Sequence, residues 1–255
     1  MEEENYLKNI KKGQKVEILT KSKKLVTGYV EELASRTEFH RHGIMVMLTN
    51  RQVGRVQRIL SDLPESKLIP IIKKGETYNI EFKKDILWSI NYTEIQIKES
   101  KSYELHTFRH KASKIIIAKS ICALLNSQGG NLLIGIQENR SQNKEDEIIG
   151  IEPDLERLKL QGKAEGLDAY KRMIIDDIIR PYFPPKIYNH LIDFIKFEFE
   201  EIDKKIILNI SVSRSASPIF LNLEGKKMFM IRTDTQSRQI ENEELVDYCM
   251  KRFRS

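Results

Sequence analysis

Three glutamates lie at the ends of predicted secondary-structure elements, where side chains often do chemistry. The segment Gly75 to Lys83 reads GETYNIEFK and places Glu76 and Glu81 five residues apart, across a turn into a strand. Glu138 follows the apolar run LLIGIQ, where that predicted strand ends, a usual position for a functional side chain on a rigid scaffold. Hard divalent cations such as Mg²⁺ and Mn²⁺ prefer oxygen ligands, so converging carboxylates can hold one beside a phosphodiester.

Alternation along the first segment predicts which way Glu81 points. Ile80 and Phe82 alternate with Glu81 and Lys83, and successive side chains of a strand point to opposite faces. We therefore expect the Glu81 carboxylate to face away from the apolar side of its strand.

The elements that must position these acids are a helix, a glycine stop and a buried strand, in the stretch from Lys111 to Glu138. Apolar residues recur there at helical spacing and predict one apolar face, with Lys114 and Lys119 on the other. The Gly129-Gly130 pair ends the helix, because glycine accepts the left-handed dihedral angles of a helix C-terminus. The run from Leu132 to Ile136 then predicts a central strand.

The order E-x4-E-F-K, a helix ending in LNSQGG, then LLIGIQE resembles the Schlafen AlbA-like domain, over roughly residues 71–255. In Schlafen proteins with endoribonuclease activity, two glutamates of the first segment and an acid after the strand form a metal site. Glu76, Glu81 and Glu138 match those positions, so the resemblance implies a catalytic Mg²⁺ or Mn²⁺ site that stabilises the phosphorane and helps to activate water. Gln137 is a departure, because the family often has another acid there.

The same resemblance implies binding without cleavage, because many AlbA-like domains are described only as DNA binders. The sequence favours this binding role, with the glutamates facing solvent on a binding fold. The candidate contacts are Lys83 and Lys84 beside Glu81, and Arg232 and Arg238 in FMIRTDTQSR, since arginine suits bidentate phosphate contact. The alternative for Arg232 is a pair with an internal carboxylate.

The first 62 residues have a different pattern. An acidic lead-in of ten residues, expected to be partly disordered, is followed by short β runs that predict a small barrel. The strings GQKVEIL, TGYVEEL, HRHGIMVML and VGRVQRI closely resemble the YwbE family of small prokaryotic modules. That resemblance implies RNA or ribosomal partners. The segment His40-Arg41-His42 departs from it, because a proline is expected near the histidine.

Positive charge is concentrated in this first module. Residues 1–60 carry twelve Lys or Arg against seven Asp or Glu, a balance of +5 within a net charge of +6 for the chain. Lys21, Lys23 and Lys24 lie together in the first loop, and Arg55 lies further along. Phosphate binding requires positive charge of this kind. A soluble surface with a mild basic bias is the alternative.

The chain is therefore predicted to divide into a basic YwbE-like β-barrel over residues 1–62, a linker over 63–74 and a Schlafen AlbA-like domain over 75–255. The linker interpretation depends on two prolines among polar residues. Strands and helices of the larger domain are mixed without strict βαβ alternation, which predicts an α+β fold.

Several segments of the larger domain have expectations of their own. Ser89 to His110 is polar, and its alternation at Glu94 to Ile97 suggests a family-specific loop or a pair of extra strands. Leu167 to Ile179 predicts a helix that stops at Arg180-Pro181. The later predictions are a β-like segment at Lys186–Ile202, a strand at Lys205–Val212 and a final helix at Glu241–Phe253. A hairpin around Glu224-Gly225 is also predicted, with strands at Ile219–Leu221 and Met228–Ile231.

Composition and missing motifs exclude several classes of protein. Asn126 to Asn131, NSQGGN, is not a G-x4-G-K-[ST] phosphate loop, and no G-x-S-x-G elbow occurs, so neither an ATPase nor a serine hydrolase is expected. Two cysteines, Cys122 and Cys249, do not make a disulfide framework. Without an apolar run of membrane-spanning length or a secretory leader, we expect a cytoplasmic protein. The Lys-, Ile- and Asn-rich composition suggests an AT-rich prokaryotic genome.

Together these patterns predict a two-domain protein that binds structured nucleic acid, with RNA favoured over DNA and no membrane partner. One alternative is a metal-dependent endoribonuclease that acts on folded RNA such as tRNA and needs only Mg²⁺ or Mn²⁺. The other is an adaptor that binds a protein, in the setting of the ribosome. Schlafen-type domains pair to make a cleft, so the resemblance also admits a homodimer.

Overall fold

The computed structural model describes residues 3–61, 66–139, 146–162 and 165–253. The chain forms two compact units, Met1–Ile69 and Pro70–Ser255, called here the first and the second unit. In the described ranges, no helix combines the length and the apolar character needed to cross a membrane.

The described secondary structure begins with short strands and continues with a mixture of helices and strands. The strands are β1 (Lys15–Thr20), β2 (Leu25–Leu33), β3 (Met45–Leu48), β4 (Val53–Ser61), β5 (Ile80–Lys83), β6 (Gly130–Ile134), β7 (Ile136–Gln137), β8 (Glu147–Ile148), β9 (Ile195–Ile202), β10 (Lys205–Val212), β11 (Leu221–Leu223), β12 (Lys226–Met228), β13 (Met230–Thr233) and β14 (Gln236–Gln239). The α-helices are α1 (Ile69–Lys74), α2 (Glu94–Glu99), α3 (Tyr103–Phe108), α4 (Ala112–Asn126), α5 (Glu152–Leu160), α6 (Leu167–Ile174), α7 (Arg180–Tyr182), α8 (Pro185–Tyr188), α9 (Leu191–Phe194) and α10 (Asn242–Arg252).

The first unit is a closed antiparallel barrel in the order β1-β2-β3-β4, with β4 pairing back onto β1. This confirms the predicted small barrel. Alternation along β1 buries Val16 and Ile18 inside, while Leu19 is partly exposed on the outside. The inward residues of the four strands, together with Ile10 and Ile44, form one small apolar core.

Closure of the barrel requires a glycine at position 43. Gly43 has a φ of +85°, and a Cβ atom there would lie 1.8 Å from the carbonyl oxygen of Val56. The backbone of Val56 also donates to the carbonyl of Ile44 at 2.9 Å. Only a residue without a side chain permits this approach at a positive φ.

The described part of the N-terminal lead-in, residues 3–10, is ordered, so the expectation of partial disorder is wrong for these residues. Two 3₁₀ turns, Glu3–Asn5 and Leu7–Asn9, flank Tyr6, which bridges Phe39. Ile10 is buried in the barrel core. The acidic composition was misleading, because a few apolar side chains are enough to hold the segment against the barrel.

Part of the predicted linker over 63–74 lies outside the described residues, which exclude 62–65. Its later part forms the short helix α1, in which Ile72 is buried. The boundary between the two units falls between Ile69 and Pro70.

The second unit is built on a four-stranded mixed sheet in the order β5-β6-β10-β9. Strand β5 is parallel to β6, whereas β10 is antiparallel to both β6 and β9. Two-stranded ribbons β7-β8, β11-β12 and β13-β14 complete the strands. The larger domain is therefore α+β, as predicted.

Helix α4 is the central element of the second unit. Twelve of its fifteen residues are buried, so the predicted two-faced helix is instead enclosed on nearly all sides. Its two lysines are accommodated by ion pairs, Lys114 with Asp177 at 2.7 Å and Lys119 with Glu104 at 3.3 Å.

The glycine stop after α4 is confirmed. Gly129 has a φ of +73° and donates its N–H to the carbonyl of Leu124 at 2.9 Å. Gly130 has a φ of +147°, and a Cβ atom there would lie 2.1 Å from the carbonyl oxygen of Asn79. The glycine pair thus allows the start of β6 to lie directly against the turn before β5.

Residues 94–99, where alternation suggested an extra strand, form helix α2 instead. Thr93 and Gln96 make a reciprocal capping box at its start, which overrides the short alternation. Ser102 caps α3 by accepting from the N–H of Leu105 at 3.2 Å. Local capping therefore decided the structure of this polar segment.

The helix that begins at Leu167 does not stop at Arg180-Pro181 but continues through Tyr182. Residues Ile175–Ile179 widen into a π turn, and the N–H of Arg180 bonds to the carbonyl of Ile175. Proline has no N–H to donate, so it is tolerated next to a turn that is already widened.

The segment before β9 is also helical where strand was expected. Helices α8 and α9 precede β9, and Pro185 begins α8, a position that suits its fixed φ. Strand β10 follows the prediction. A hairpin forms around Glu224-Gly225 as expected, but its strands β11 and β12 lie closer to the turn than predicted. Helix α10 also follows the prediction, whereas the hairpin β13-β14 was not anticipated.

Candidate nucleic-acid interface

The predicted acids Glu76 and Glu81 lie on either side of a tight turn that leads into β5. In that turn, the backbone groups of Thr77 and Ile80 bond to each other, at 3.0 and 3.3 Å. The Thr77 hydroxyl donates to Asn79 Oδ1 at 2.9 Å, and Asn79 accepts from the N–H of Asn131 at the start of β6. Tyr78 lies in the same turn and is 56% exposed. The turn is therefore rigid but presents one aromatic ring to solvent.

Glu81 does not face away from the core, so the expectation from alternation is wrong. Its register partner in the parallel strand β6 is Leu132, a member of the core that contains α4. Ser120 of α4 donates to Glu81 Oε1 at 3.4 Å, and Glu81 is 6% exposed. Phe82 on the other face is buried too, and alternation cannot identify the solvent side of a strand covered on both faces.

Arg232 of β13 supplies the counter-charge for Glu81. The two side chains form an ion pair, and that of Arg232 is 1% exposed. Arg232 Nη2 also donates to the carbonyls of Thr77 at 3.0 Å and Ile80 at 2.9 Å. Burial lowers the pKa of Arg232, while the nearby carboxylates of Glu76 and Asp234 act to raise it. Arg232 thus makes the internal pairing that the sequence left open, and it holds the turn from inside.

Lys83 is the second cation beside Glu81. Its ammonium group pairs with the Glu81 carboxylate and donates to the carbonyl of Phe82 at 2.9 Å. The Lys83 side chain is 26% exposed. The buried carboxylate of Glu81 is therefore paired with two positive side chains, Lys83 and Arg232.

Glu76 and Glu138 lie near this ion-pair group. Glu76 Oε1 accepts from the N–H of Phe82 at 2.7 Å. Burial raises the pKa of Glu76, the bond from Phe82 and the charge of Lys83 lower it, and the charge of Glu138 raises it further. Glu138 itself is exposed. The structure thus brings all three predicted glutamates into one neighbourhood.

In this arrangement the glutamates do not fit a metal site. Among the residues that the structure describes, no group of three or more Asp, Glu, His or Cys side chains could hold a metal ion. The carboxylate of Glu81 is already paired with Lys83 and Arg232, and Glu76 Oε1 is bonded to the backbone. A divalent cation would have to displace both cations from Glu81.

The exposed cations near the turn are lysines. Lys84 follows β5 directly, and Lys73 and Lys74 precede Gly75 at the end of α1; all three lysines are exposed. Sequence reasoning missed Lys73 and Lys74 because it assigned them to the linker. Their position directly before the Glu76 segment was the signal that could have identified them.

Arg238, another predicted contact, lies on β14 and is exposed. The cross-strand partner of Arg232 is Ser237, so alternation places Arg238 on the opposite face of the hairpin. Arg238 makes a two-point ion pair with Glu244 of α10, which raises the pKa of Arg238 and lowers that of Glu244.

The remaining predicted contacts belong to the first unit. Lys21, Lys23 and Lys24 are exposed in the turn between β1 and β2. Arg55 on β4 is half-buried, and its Nη1 donates to the carbonyl of Gly43 at 3.0 Å.

A buried polar network fixes the segment after β5, and sequence reasoning did not identify it. Asp154 of α5 is fully buried and accepts from the N–H groups of Ile86 at 2.7 Å and Leu87 at 3.1 Å. The Tyr170 hydroxyl donates to it at 2.6 Å, and Arg157 donates at 3.0 Å. An acid near a helix start is ordinary in a sequence, so only the fold reveals this role.

Asp85 joins the same network through Arg157, at 3.3 Å. Burial and the charge of Asp154 raise the pKa of Asp85, and Arg157 lowers it. The network therefore holds Asp85 directly beside the exposed Lys84.

Comparison with known families matches each unit separately. The family described as "Schlafen, AlbA_2" matches residues 76–241. The family described as "Uncharacterized conserved protein (DUF2196)" matches residues 3–59.

Two individual proteins are also similar to the chain. "Uncharacterized protein YwbE" of Bacillus subtilis (strain 168) is 39% identical over 57 residues, which are 21% of this chain and 88% of that protein. The crystal structure of the DIP2311 protein from Corynebacterium diphtheriae is 16% identical with a TM-score of 0.35, and the match covers 69% of this chain. The match spans only 27% of the length of that solved chain.

Proposed function

Because the chain belongs to the Schlafen, AlbA_2 family, we propose that it is a nucleic-acid-binding protein that favours RNA over DNA. The observation that carries this proposal is the family match over residues 76–241, which includes the turn, β5 and the glycine pair. Membership in this family indicates a nucleic-acid partner, and the preference for RNA is our further step.

The exposed groups around the turn supply suitable chemistry. Lys73, Lys74 and Lys84 offer positive charge to a phosphate backbone, with release of counterions. Tyr78 is 56% exposed and offers a flat ring on which an unpaired base can stack. Folded RNA displays unpaired bases in loops and bulges, whereas duplex DNA hides them. This pairing of lysines with an exposed ring supports RNA.

The glutamates hold the interface together in this proposal. Glu81 neutralises Arg232 and Lys83, and Arg232 in turn ties down the backbone of the turn that presents Tyr78. A metal-dependent endoribonuclease would need Glu81 as a metal ligand instead. The ion pairs of Glu81 are therefore the reason for placing binding before cleavage.

The proposal is tested by fluorescence anisotropy with the full chain, using labelled tRNA and a DNA duplex of similar length. We expect tighter binding of tRNA, and a steep loss of affinity between about 50 and about 200 mM salt. Absence of binding to both probes at the lower salt concentration overturns the proposal. Equal affinity for the two probes overturns the preference for RNA.

A matched pair of variants locates the interface. Lys84→Glu, at the end of the edge strand β5, should weaken tRNA binding about tenfold or more. Lys196→Glu changes an exposed lysine of β9, the opposite edge strand of the same sheet, and should leave the affinity unchanged. Equal losses in the two variants would mean that binding is not centred on the turn.

The two alternatives give different outcomes in the same assay. The endoribonuclease alternative predicts that Mn²⁺ causes cleavage of tRNA and that Glu76→Gln and Glu138→Gln each abolish this cleavage. Such a result would favour the endoribonuclease function over binding alone. The adaptor alternative predicts that the chain does not bind RNA but associates with ribosomal protein, with an affinity that does not fall with salt. Apolar contacts do not weaken with salt, so this result would favour the adaptor over the nucleic-acid-binding function.

A further inference from the structure

The outer surface of the barrel has an open groove across β1, β3 and β4. Three apolar side chains, Leu19, Met45 and Val53, and three basic ones, Lys21, His42 and Arg55, line it. Leu19 is 37% and Val53 42% exposed. The groove therefore combines cationic side chains with an apolar surface of Leu19, Met45 and Val53, called here the floor.

The strand register explains why these side chains meet. Arg55 on β4 is the register partner of Leu19 on β1 and of Met45 on β3, so the three side chains form one row on the outer face. Val53 is two residues from Arg55 and shares its face. The floor is part of the barrel wall itself.

Arg55 is held in place at this groove. Its Nη1 donates to the carbonyl of Gly43 at 3.0 Å, the glycine that barrel closure requires. In the described part of the first unit, neither Arg55 nor Lys21 forms a salt bridge with a carboxylate. A guanidinium that is already oriented loses less entropy when it binds an anion.

Other charges near the groove are mostly positive. Partial burial lowers the pKa of His40, and the positive charges of Arg55, His42 and Arg41 lower it further. On the same outer face of β1, Glu17 lies opposite Arg58 of β4. A positive field of this kind attracts a polyanion.

We propose that this groove binds an unpaired nucleotide of single-stranded RNA. The phosphate lies at Arg55 and Lys21, and the face of the base lies on the floor of Leu19, Met45 and Val53. This rests on the proposed nucleic-acid binding and assigns it a second site, in the barrel. A duplex fits this groove less well, because its base faces are stacked inside and only its phosphates are accessible.

The test uses the full chain and a fluorescent single-stranded oligouridylate of about 12 nucleotides. Arg55→Gln and Lys21→Glu should each weaken binding about tenfold and lower the salt slope. Arg36→Gln is the control, because Arg36 is an exposed arginine of the same unit that does not line the groove. Val53→Thr keeps the shape of the floor but adds a hydroxyl, and should also weaken binding.

Thermal melting shows whether each variant is folded. Lys21 lies in an exposed turn, so its variant tests the groove even if Arg55→Gln destabilises the barrel. Unchanged affinity in Lys21→Glu and in a folded Arg55→Gln variant overturns the proposal that the groove binds a nucleotide. If Lys84→Glu still weakens tRNA binding in that case, the proposed nucleic-acid-binding function stands without the site in the groove.

Three competitors distinguish the possible chemical classes of the ligand. Duplex RNA of the same length should compete poorly, and equal competition overturns the role of the apolar floor. Polyglutamate and inorganic phosphate should compete weakly. Polyglutamate that competes as well as RNA would identify an acidic peptide as the occupant and overturn the nucleotide assignment.

Discussion

At the scale of single residues, the ion pair of Glu81 and Arg232 fixes the turn that leads into β5. Both are buried, and they pair with each other while Arg232 also binds the carbonyls of Thr77 and Ile80. Buried charges of this kind are costly unless they are paired and hydrogen-bonded. The pair therefore fixes the backbone of the turn, and in the proposed function the ligand is contacted by Tyr78 and the exposed lysines.

A double-mutant cycle tests this pairing. Glu81→Gln leaves the Arg232 charge buried without its carboxylate, and should lower the free energy of unfolding by about 3–5 kcal/mol. Arg232→Met should cost a similar amount. The double variant should cost well below the sum, because each change removes the same interaction. Chemical denaturation measures all three. Arg238→Gln, an exposed arginine of the same hairpin, should stay close to wild type, and additive losses at positions 81 and 232 would refute the pairing.

At the scale of elements, the glycine pair connects α4 to the site. Gly129 ends the helix, and Gly130 lets β6 start against the backbone of Asn79. Strand β6 then pairs in parallel with β5, so the turn, the helix end and the strand end are positioned together. The E-x4-E-F-K segment, the glycine pair and the strand after it therefore pack against one another, although they are separated in the sequence.

Gly130→Ala tests the close approach. A Cβ atom 2.1 Å from the carbonyl oxygen of Asn79 forces the turn to shift, so the free energy of unfolding should fall by more than about 1 kcal/mol. The affinity for tRNA should fall as well, since the same turn presents Tyr78. Gly225→Ala is the control, because Gly225 also has a positive φ but nothing lies within 4 Å of an added Cβ. Equal destabilisation by the two changes would attribute the effect to φ strain alone.

At the scale of the whole molecule, the chain consists of two units with separate apolar cores. Eight buried residues form the core of the barrel, and a much larger cluster around α4 forms that of the second unit. Each unit matches its own family. Because the cores are separate, we expect the two units to unfold in separate transitions.

Calorimetry of the full chain tests this independence. Gly43→Ala places a Cβ atom 1.8 Å from the carbonyl of Val56 in the barrel, and should lower only one transition, by several degrees. Gly130→Ala should lower only the other. A single transition that both variants shift would show that the units unfold together.

Local pattern was sufficient for much of the fold. The barrel strands, α4, its glycine stop, β10 and α10 follow from alternation, helical spacing and glycine chemistry, all of which act between residues close in the chain. The helices α2 and α8 were missed although their signals are local, namely the Thr93-Gln96 capping box and Pro185 at a helix start. An alternation as short as that of Glu94 to Ile97 is a weaker signal than a capping box.

The sequence by itself determined the family, the two-unit organisation and the neighbourhood of Glu76, Glu81 and Glu138. Only the tertiary structure decided that Glu81 faces α4, that Arg232 is buried against it, and that Leu19, Met45 and Arg55 line one groove. The physical reason is that burial and pairing depend on elements distant in the chain. Whether a strand face meets water or a helix is determined by packing, and alternation within that strand does not contain this information.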